Sequence, residues 1–492
     1  MKHCYILVVL TIFSIQNSIA QNEGSAFTLT GMGVSTPFAT DYQALGINPA
    51  NLDLLPRYED KMVTMGIAEF GFSFYSEVLT KPELKQNLFQ EDIKDFSKEQ
   101  QKAYAIEFAN SNNAMDFDIM TFGLSIRTNK LGTFAFSSRD RMNFYSKFGQ
   151  QVSDIMWLGY QADYFDSLVV DMGNGNLDTI PNTDDIDQAT LDKVQQGITS
   201  LQNAQNLSQI LQGTKLGFSW FREFNLGWGK KLLTTENLEV HGGLGVKFIV
   251  GQGMLELNAE NGQATAFSAL SPVFQVEYGS IAEENPSAYD STAGNLKPVG
   301  YGYGIDLGGT IVYKENFLFN VAINDIGKIT WDGNLYRLKD VAITNFKSPG
   351  LESVDILSQL DALNGGDGLL EWQGETKRVT SLPSTIRIGA GYDNRKSIRV
   401  GADVIMPMSE ELGNIQNAAI SVGGEFSPMP WVHLQAGFTQ GGNYGMKIPV
   451  GVYFTIGAGT YEIGIASRDF VTFFRDNDPT ISMTTGFLRF RF

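Results

Sequence analysis

The residue types that carry most enzyme chemistry are scarce in this chain. Among 492 residues there are three histidines and one cysteine, and that cysteine is Cys4 near the start. The sequence contains no GxSxG, P-loop or HExxH motif, so it has none of the usual signatures of a hydrolase nucleophile, a phosphate loop or a zinc helix. These observations predict no enzyme activity, no catalytic residue, no metal site and no cofactor.

A run of acidic residues offers a second kind of chemistry. Nine aspartates and only two lysines lie between residues 147 and 212, and clustered carboxylates are ligands that calcium prefers. Their spacing does not match an EF-hand loop, so a solvated acidic loop is the simpler interpretation. The net charge of −18 excludes nucleic acid as a partner.

Charged residues also recur at alternate positions of short apolar segments. Successive side chains of a strand point to opposite faces, so these charges share one face and apolar residues share the other. A transmembrane barrel with a polar lumen and a lipid-facing exterior explains both faces. The predicted lumen charges include Arg127, Arg139, Arg141, Asp306, Arg387, Arg399, Asp403, Glu425, Glu462, Arg489 and Arg491.

Both signs of charge occur on the predicted lumen face, and two interpretations follow. Because buried charges need partners, the first is a salt-bridged and partly filled barrel. The second is a polar conduit for a charged solute.

The alternating segments predict fourteen strands, an even number as in bacterial single-chain barrels. The gaps between them alternate between short and long, which predicts short periplasmic turns and long outer loops. Apolar residues at helical spacing, from Leu84 to Phe96 and from Leu191 to Leu211, predict that these loops are partly helical. The expected fold is therefore all-β, a transmembrane antiparallel up-and-down barrel. The strands are expected near residues 61–78, 115–128, 132–146, 214–231, 238–257, 300–313, 317–331, 384–392, 396–407, 417–426, 431–440, 447–457, 460–469 and 480–492.

The final strand, TISMTTGFLRFRF, has one apolar face and one basic face. Leu488, Phe490 and Phe492 are expected to point outward, and Phe487 to point inward with Arg489 and Arg491. The strand resembles the C-terminal signal of bacterial outer-membrane barrels, which implies that Phe490 and Phe492 are read by the barrel-assembly machinery. One residue departs from the pattern, because Arg222 falls on the apolar face and predicts a bulge or a strand that rises above the membrane.

The start of the chain predicts export. Lys2 precedes an apolar stretch, and Ser18-Ile19-Ala20 places small residues where a signal peptidase cuts. We therefore expect a signal peptide at residues 1–20, a plug segment at 21–60 and the barrel at 61–492. The expected location is the bacterial outer membrane, with its lipid and the assembly machinery as partners.

The segment before the first strand, ATDYQALGINPANLDLLP at residues 39–56, is polar and bounded by proline. Its Asn48-Pro49-Ala50-Asn51-Leu52 stretch resembles the Asn-Pro-Ala motif near the start of FadL-type long-chain fatty-acid transporters and of PorV-type barrels of type IX secretion. The resemblance implies a fourteen-stranded barrel in which Asn48, Pro49, Ala50 and Asn51 belong to a hatch inside the lumen. We expect Asn48 and Asn51 to hydrogen-bond lumen charges such as Arg399 or Arg489.

A second resemblance covers most of the exported chain. Ile305-Asp306-Leu307-Gly308-Gly309, Asn324-Asp325-Ile326-Gly327 and Leu382-Pro383-Ser384 resemble an uncharacterised family of Bacteroidetes outer-membrane barrels. This resemblance implies fold and location, and no substrate.

Two functions remain open from the sequence. The first is a FadL-like barrel that admits small hydrophobic molecules across the outer membrane. The second is a PorV-like barrel that transports nothing and docks a secretion or cell-surface assembly partner.

Overall fold

The computed structural model describes most of the chain. The described residues are 26–54, 61–80, 97–173, 175–276, 278–290, 294–348, 350–351, 370–442, 445–471, 474 and 480–492. The predicted signal peptide and the apolar stretch from Leu84 to Phe96 lie outside them.

Fourteen antiparallel strands in the described part of the chain form one closed barrel. Each strand pairs with the next in chain order, and β14 closes the ring on β1, from Arg491 opposite Thr64 to Thr480 opposite Tyr75. The predicted all-β up-and-down barrel is therefore confirmed. Its strands are β1 (Val63–Ser76), β2 (Asn113–Thr128), β3 (Gly132–Lys147), β4 (Lys215–Thr234), β5 (Leu238–Glu260), β6 (Gly300–Tyr313), β7 (Phe317–Trp331), β8 (Thr385–Asp393), β9 (Ile398–Pro407), β10 (Ala419–Met429), β11 (Val432–Gly441), β12 (Val450–Ile456), β13 (Tyr461–Ser467) and β14 (Thr480–Arg491).

The connections alternate in length as expected. Short turns join β2 to β3, β4 to β5, β6 to β7 and the later pairs at the periplasmic end. The β6–β7 connection has three residues, Lys314 to Asn316, because Tyr313 pairs with Phe317. Lys314 and Glu315 both have positive φ, 48° and 62°, a conformation that non-glycine residues adopt mainly in tight turns. The longer loops leave from the opposite, outer end.

The outward face of the barrel wall is apolar. Phe248 on β5 is 51% exposed and Tyr303 on β6 is 55% exposed, whereas Lys247 and Asp306, which point to the inner face of the same strands, are buried. A closed barrel pairs every backbone group of its wall, and a band of this kind contacts lipid. The protein is an outer-membrane barrel.

A bulge changes one predicted face in the last strand. The register between β13 and β14 shifts between Glu462 and Gly464, so the alternation of side chains slips by one residue. Phe487 and Leu488 are both exposed, 54% and 43%. The expectation that Phe487 points into the lumen with Arg489 was wrong, because an extra residue reverses the phase of the strand.

Arg222 lies beside a second bulge, as its position on the apolar face predicted. The register between β4 and β5 shifts between Trp220 and Phe221. Asp140 of β3 lies 3.1 Å from the Arg222 guanidinium and also accepts a hydrogen bond from the Trp220 indole at 2.9 Å. The outward charge is therefore neutralised by a neighbouring strand.

The outer loops form a folded flank against the outside of the barrel. Helix α1 (Lys98–Phe108) begins at Ser97, which forms a capping box with Gln100. Helix α2 (Gln150–Leu158) stacks Trp157 on Tyr104 of α1 at 5.1 Å. These side chains pack in one cluster with outward residues of β3 and β4. The partly helical outer loops are confirmed.

The stretch from Leu191 to Leu211 is not one helix. It contains a short helix, Gln188–Leu191, a strand, Val194–Ile198, and a second short helix, Leu207–Ile210. The strand belongs to a small sheet with Ser167–Asp171, Leu177–Pro181 and Asn345–Phe346. Helical spacing of apolar residues was misleading because Gly197 and the polar residues around Asn203 interrupt the helix.

Other short elements complete the described chain. Among the described residues, no helix is long and apolar enough to cross a membrane. The remaining strands are Gln263–Leu270, Leu335–Leu338, Trp372–Gly374, Arg378–Ser381 and Met446–Lys447, and the remaining helical turns are Phe27–Thr30, Asp41–Ala44, Pro49–Asp53, Gly159–Gln161, Pro272–Phe274 and Ile281–Glu284.

Candidate functional site in the barrel lumen

Residues 26–54, which we call the lumen segment, lie inside the barrel. Tyr42 and Phe27 are 1% exposed, and Cβ atoms built on Gly66 of β1 and Gly486 of β14 would overlap their rings. Its C-terminal end is close to the periplasmic turns, where Arg127 donates to the Leu54 carbonyl at 2.5 Å. The segment therefore occupies the periplasmic half of the lumen.

Glycines in the wall allow the backbone of the lumen segment to approach closely. A Cβ atom at Gly243 of β5 would overlap the Pro49 carbonyl group, and one at Gly423 of β10 or Gly437 of β11 would overlap the Met32 carbonyl oxygen. Only glycine leaves this space at a strand position. The wall is thus shaped to receive the segment.

The Asn48-Pro49-Ala50 stretch forms a capped turn that is anchored to the wall. The Asn48 side chain accepts a hydrogen bond from the Ala50 amide at 3.2 Å and so caps the turn Pro49–Asp53. Pro49 occupies the first position of that turn, where an amide hydrogen would have no partner. The Asn48 amide also donates to the Thr310 hydroxyl of β6 at 3.0 Å.

Asn51 makes the second neutral anchor. Its side-chain oxygen accepts from the Thr310 hydroxyl at 2.6 Å and from the Asn320 amide at 3.0 Å, and its amide donates to the Thr36 carbonyl at 2.8 Å. The expected partners of Asn48 and Asn51, Arg399 and Arg489, are not the ones found. Those arginines lie against carboxylates instead.

Asp41 links the lumen segment to the charges of the last two strands. Its carboxylate lies 2.6 Å from Arg489 and 3.3 Å from Arg491. Glu462 of β13 binds the same two arginines at 2.6 Å and 2.8 Å. All four groups are buried, so two carboxylates neutralise two guanidinium groups inside the barrel.

Two wall carboxylates bind the lumen segment directly. Asp403 of β9 accepts hydrogen bonds from the Ser35 and Thr36 amides at 2.7 Å and 2.9 Å. Glu69 of β1 accepts from the Tyr42 hydroxyl at 2.6 Å and from the Gln43 amide at 2.9 Å. These contacts involve the backbone at Ser35 and Thr36 and the side chains of Tyr42 and Gln43, two separate parts of the segment.

Other predicted lumen charges also lie around the lumen segment and have polar partners. Arg387 lies 3.5 Å from the Ser35 hydroxyl. Arg399 pairs with Asp393 at 2.7 Å, and Glu425 accepts from the Tyr453 hydroxyl at 2.9 Å.

Seven charged residues form an ionic layer beyond the lumen segment. Arg141 lies 2.6 Å from Glu223 and 3.4 Å from Asp325, and Lys247 lies 3.1 Å from Asp306. The layer consists of Arg139, Asp118, Arg141, Glu223, Lys247, Asp306 and Asp325.

Sequence reasoning missed several of these carboxylates for an identifiable reason. Asp325 and Glu69 lie where the strand backbone departs from the extended conformation, since Asp325 itself has a φ of 59° and Ala68, which precedes Glu69, has a φ of 55°. A bulge reverses the alternation on which the face assignment depends. Asp41 lies outside any strand, so strand periodicity carried no signal for it.

A third layer closes the outer half of the lumen with apolar side chains. Along β7, Asn320 and Asn324 bind the lumen segment, Asp325 belongs to the ionic layer, and Ile329 and Trp331 come next toward the outer end. We call this cluster the apolar layer; it includes Phe221, Ile249, Ile329, Trp331, Leu382 and Leu412.

Little space remains around the lumen segment. Cavities beside it measure about 10, 30 and 40 Å³, enough for a water molecule or two. In the described part of the chain, no group of three or more histidine, cysteine or acidic side chains is arranged to hold a metal ion. The lumen segment therefore fills most of the space around it.

Comparison with protein families gives one match. Residues 186–463 match a family of unknown function, DUF5723, so the expected place in an uncharacterised barrel family is confirmed. No curated protein matches.

Solved structures of outer-membrane transporters have a similar architecture. The toluene transporter TodX of Pseudomonas putida is 10% identical with a TM-score of 0.43, covering 96% of this chain and 99% of TodX. The toluene transporter TbuX of Ralstonia pickettii is 12% identical with a TM-score of 0.41, covering 96% and 99%. A FadL homologue of Pseudomonas aeruginosa is 10% identical with a TM-score of 0.38, covering 96% and 97%. At these values, the assignment of the fold depends on the strand pairing of this chain itself.

Proposed function

The chain belongs to the DUF5723 family of unknown function, and we propose from its geometry that it is a gated barrel that admits small hydrophobic molecules across the outer membrane. In this proposal the lumen segment is the hatch. The observation that supports the proposal is the way the lumen segment is held. The wall binds it through polar contacts, which water can replace, and through close approach at glycines; we call this set of contacts the seat.

The seat supports a movable element because its neutral contacts are individually modest. Each neutral hydrogen bond, such as Asn48 to Thr310, contributes about 0.5–1.5 kcal/mol net, since water replaces the partner when the bond opens. The glycine-lined wall leaves no side chains interlocked with the segment at Gly243 or Gly423. At these points, withdrawal of the lumen segment toward the periplasm therefore does not require large side chains of the wall to move aside.

The preference for hydrophobic cargo follows from the surfaces along the route. The lumen segment carries its own apolar cluster, which includes Met32, Val34, Leu45 and Leu52. The apolar layer lies beyond it toward the outside. A molecule that follows the lumen would meet apolar side chains at both ends of the ionic layer.

Locking the hatch tests this function. The only cysteine of the chain, Cys4, lies in the predicted signal peptide, so an engineered pair has no competing thiol after cleavage. The pair Asn48→Cys and Thr310→Cys replaces side chains 3.0 Å apart. Entry of the hydrophobic dye N-phenyl-1-naphthylamine into Gram-negative cells should fall to the empty-vector level when the pair is cross-linked and recover on reduction.

Each single-cysteine variant is the matched control, because it carries one substitution and cannot cross-link. Dye entry that is equal in the cross-linked and reduced protein, and equal to that of the empty vector, would contradict transport.

A docking role is the second candidate, and the outer flank is the observation that favours it. The loops around α1 and α2 form a core of their own against the outside of the barrel, where they do not seal the lumen. A barrel that stays closed whatever the state of its hatch would support docking through this flank.

A further inference from the structure

A cleft of about 600 Å³ lies at the outer mouth of the lumen. One wall is the inner face of β4 and β5, where Lys215, Gly217 and Glu256 lie. The other wall is the loop between β9 and β10, residues 408–418, which we call the strap. The volume is that of a small-molecule site, typically about 300–1,000 Å³.

The strap is fixed on both sides of the mouth. Leu412 reaches across the lumen and packs on Gly217, where a Cβ atom would overlap its side chain. On the near side, the Asn414 amide donates to the Ser384 carbonyl at 2.8 Å and to the Ser409 carbonyl at 2.7 Å. The cleft is therefore a built feature of the mouth.

The charge of the cleft is negative and largely unpaired. Its lining contains four glutamates and one lysine, and that lysine, Lys215, pairs with Glu260 at 2.7 Å. Within the described chain, Glu256 has no hydrogen-bond or ion-pair partner, and Glu411 accepts one bond, from the Ser381 amide at 3.3 Å.

Apolar groups line the same cleft beside the carboxylates. Leu412, Met408 and Ile415 come from the strap, and the Tyr145 side chain comes from β3. Met408 is 53% exposed, so its side chain is accessible to a ligand. A ligand that fits must therefore present both an apolar part and a positive or hydrogen-donating part.

The electrostatics at Glu256 are compatible with a cationic ligand. This part of β5 lies above the membrane, because its outward residues Leu255 and Leu257 are covered by the outer loops. Burial and the nearby charge of Glu411 raise the pKa of Glu256, and Arg378 lowers it in part. A bound cation would favour the ionised carboxylate.

We propose that the cleft binds small amphipathic cations, with an ammonium group beside Glu256 and Glu411 and an apolar part against Leu412 and Met408. As the capture site for molecules that the barrel admits, the cleft rests on the proposed function and narrows its cargo. Binding itself requires no passage, so the two ideas fail separately.

Three probes of matched shape test the charge requirement. Phenethylammonium, phenethyl alcohol and phenylacetate carry the same ring with a positive, neutral or negative end. Calorimetric titration of the full-length protein in phosphatidylcholine nanodiscs, with empty nanodiscs subtracted, should show binding of the cation. The alcohol should bind about tenfold more weakly, because it lacks the charged partner, and the anion should not bind.

Variants locate the binding. Glu256→Gln should weaken phenethylammonium about tenfold, and Glu256→Gln with Glu411→Gln should abolish it. Glu284→Gln, an exposed carboxylate elsewhere in the outer loops, is the matched control and should bind as the parent does. Different gel migration of unheated and boiled protein verifies that each variant is a folded barrel.

The pH dependence supplies an independent readout. The cation requires ionised carboxylates, and the pKa of Glu256 is raised, so binding should weaken as pH falls through a range above that of an ordinary glutamate. Charges that face Glu256 are Glu411 on the strap and Arg378 on the short strand Arg378–Ser381, with the Lys215–Glu260 pair on β4 and β5.

Equal binding of all three probes, or unchanged binding by Glu256→Gln, would overturn the proposal. If the protein binds the cation but the Asn48→Cys and Thr310→Cys variant admits no dye even when reduced, the cleft is a binding site and transport is rejected.

Discussion

Charged residues in the lumen act in pairs that join the wall to the lumen segment. Asp41 is the clearest case, because it is the segment's own carboxylate against Arg489 and Arg491. The arginines were recognisable from the sequence because they alternate with apolar residues on the last strand. Their partner was not, since a contact between residues 41 and 489 leaves no local pattern.

Replacing Asp41 by asparagine tests this pairing. The change leaves Arg489 and Arg491 to share Glu462 alone, and removing one partner of a buried ion pair costs about 3–5 kcal/mol. We expect a lower midpoint temperature in the heat-modifiability assay, in which folded and unfolded barrel are separated on a gel. Asp178→Asn, on an exposed loop strand, is the control, and an Asp41→Asn midpoint equal to that of the control would contradict the pairing.

Wall glycines make a second test at the same scale. Gly243→Ala introduces a Cβ atom into the Pro49 carbonyl group, whereas a Cβ atom on Gly309 of β6 would have its nearest neighbour at 3.7 Å. A cysteine placed at the fully buried Ala44 reports whether the lumen segment is seated. Gly243→Ala should make this cysteine reactive to a maleimide, and Gly309→Ala should not. A cysteine that stays unreactive in both variants would show that the wall shifts to accommodate the added Cβ atom and that the lumen segment stays in place.

At the scale of elements, the strands were predictable and their bulges were not. Alternation fixed the faces of β5 and β6, where Phe248 and Tyr303 point to lipid as expected. The same rule failed at Phe487, because one extra residue in β14 is invisible in a single sequence. Helical spacing failed between Leu191 and Leu211, where glycine and asparagine override a short apolar stripe.

The closing strand yields a prediction about assembly. The Phe492 amide donates to the Val63 carbonyl at 2.8 Å, and its carbonyl accepts from the Met62 amide at 2.7 Å, so backbone hydrogen bonds join the end of β14 to β1. Changing both Phe490 and Phe492 to serine keeps these bonds and removes the aromatic side chains of the predicted assembly signal. We expect a strong loss of protein from the outer membrane, measured by fractionation and immunoblot.

Phe487→Ser is the matched control for that loss. Phe487 lies on the same strand and is 54% exposed to lipid, close to the 59% of Phe492. An equal loss from both variants would mean that lipid contact, and not a terminal signal, determines abundance.

At the scale of the whole molecule, the lumen is closed at two levels, one on each side of the ionic layer. The lumen segment closes the periplasmic half, and the apolar layer closes the outer half through Trp331, Leu382 and Leu412. Leu412 belongs to the strap, which also forms the proposed cation cleft, so ligand binding and the outer seal share one element. A sequence that suggested a plug gave no indication of this second closure, because Leu412 and Gly217 meet only when the barrel forms.

Seals in series predict a combined effect larger than either single effect. Deleting residues 40–54 removes most of the polar seat but leaves the apolar layer, so steady conductance in planar bilayers should stay low. Leu412→Ala removes a side chain from the apolar layer but leaves the lumen segment, and should also conduct little. Together the two changes should give stable, high conductance, while Leu201→Ala, an exposed loop residue, should add nothing to the deletion. Full conductance from the deletion alone would make the lumen segment the sole seal, and a combined variant that remains closed would favour docking over transport, because neither end of the lumen could then be opened.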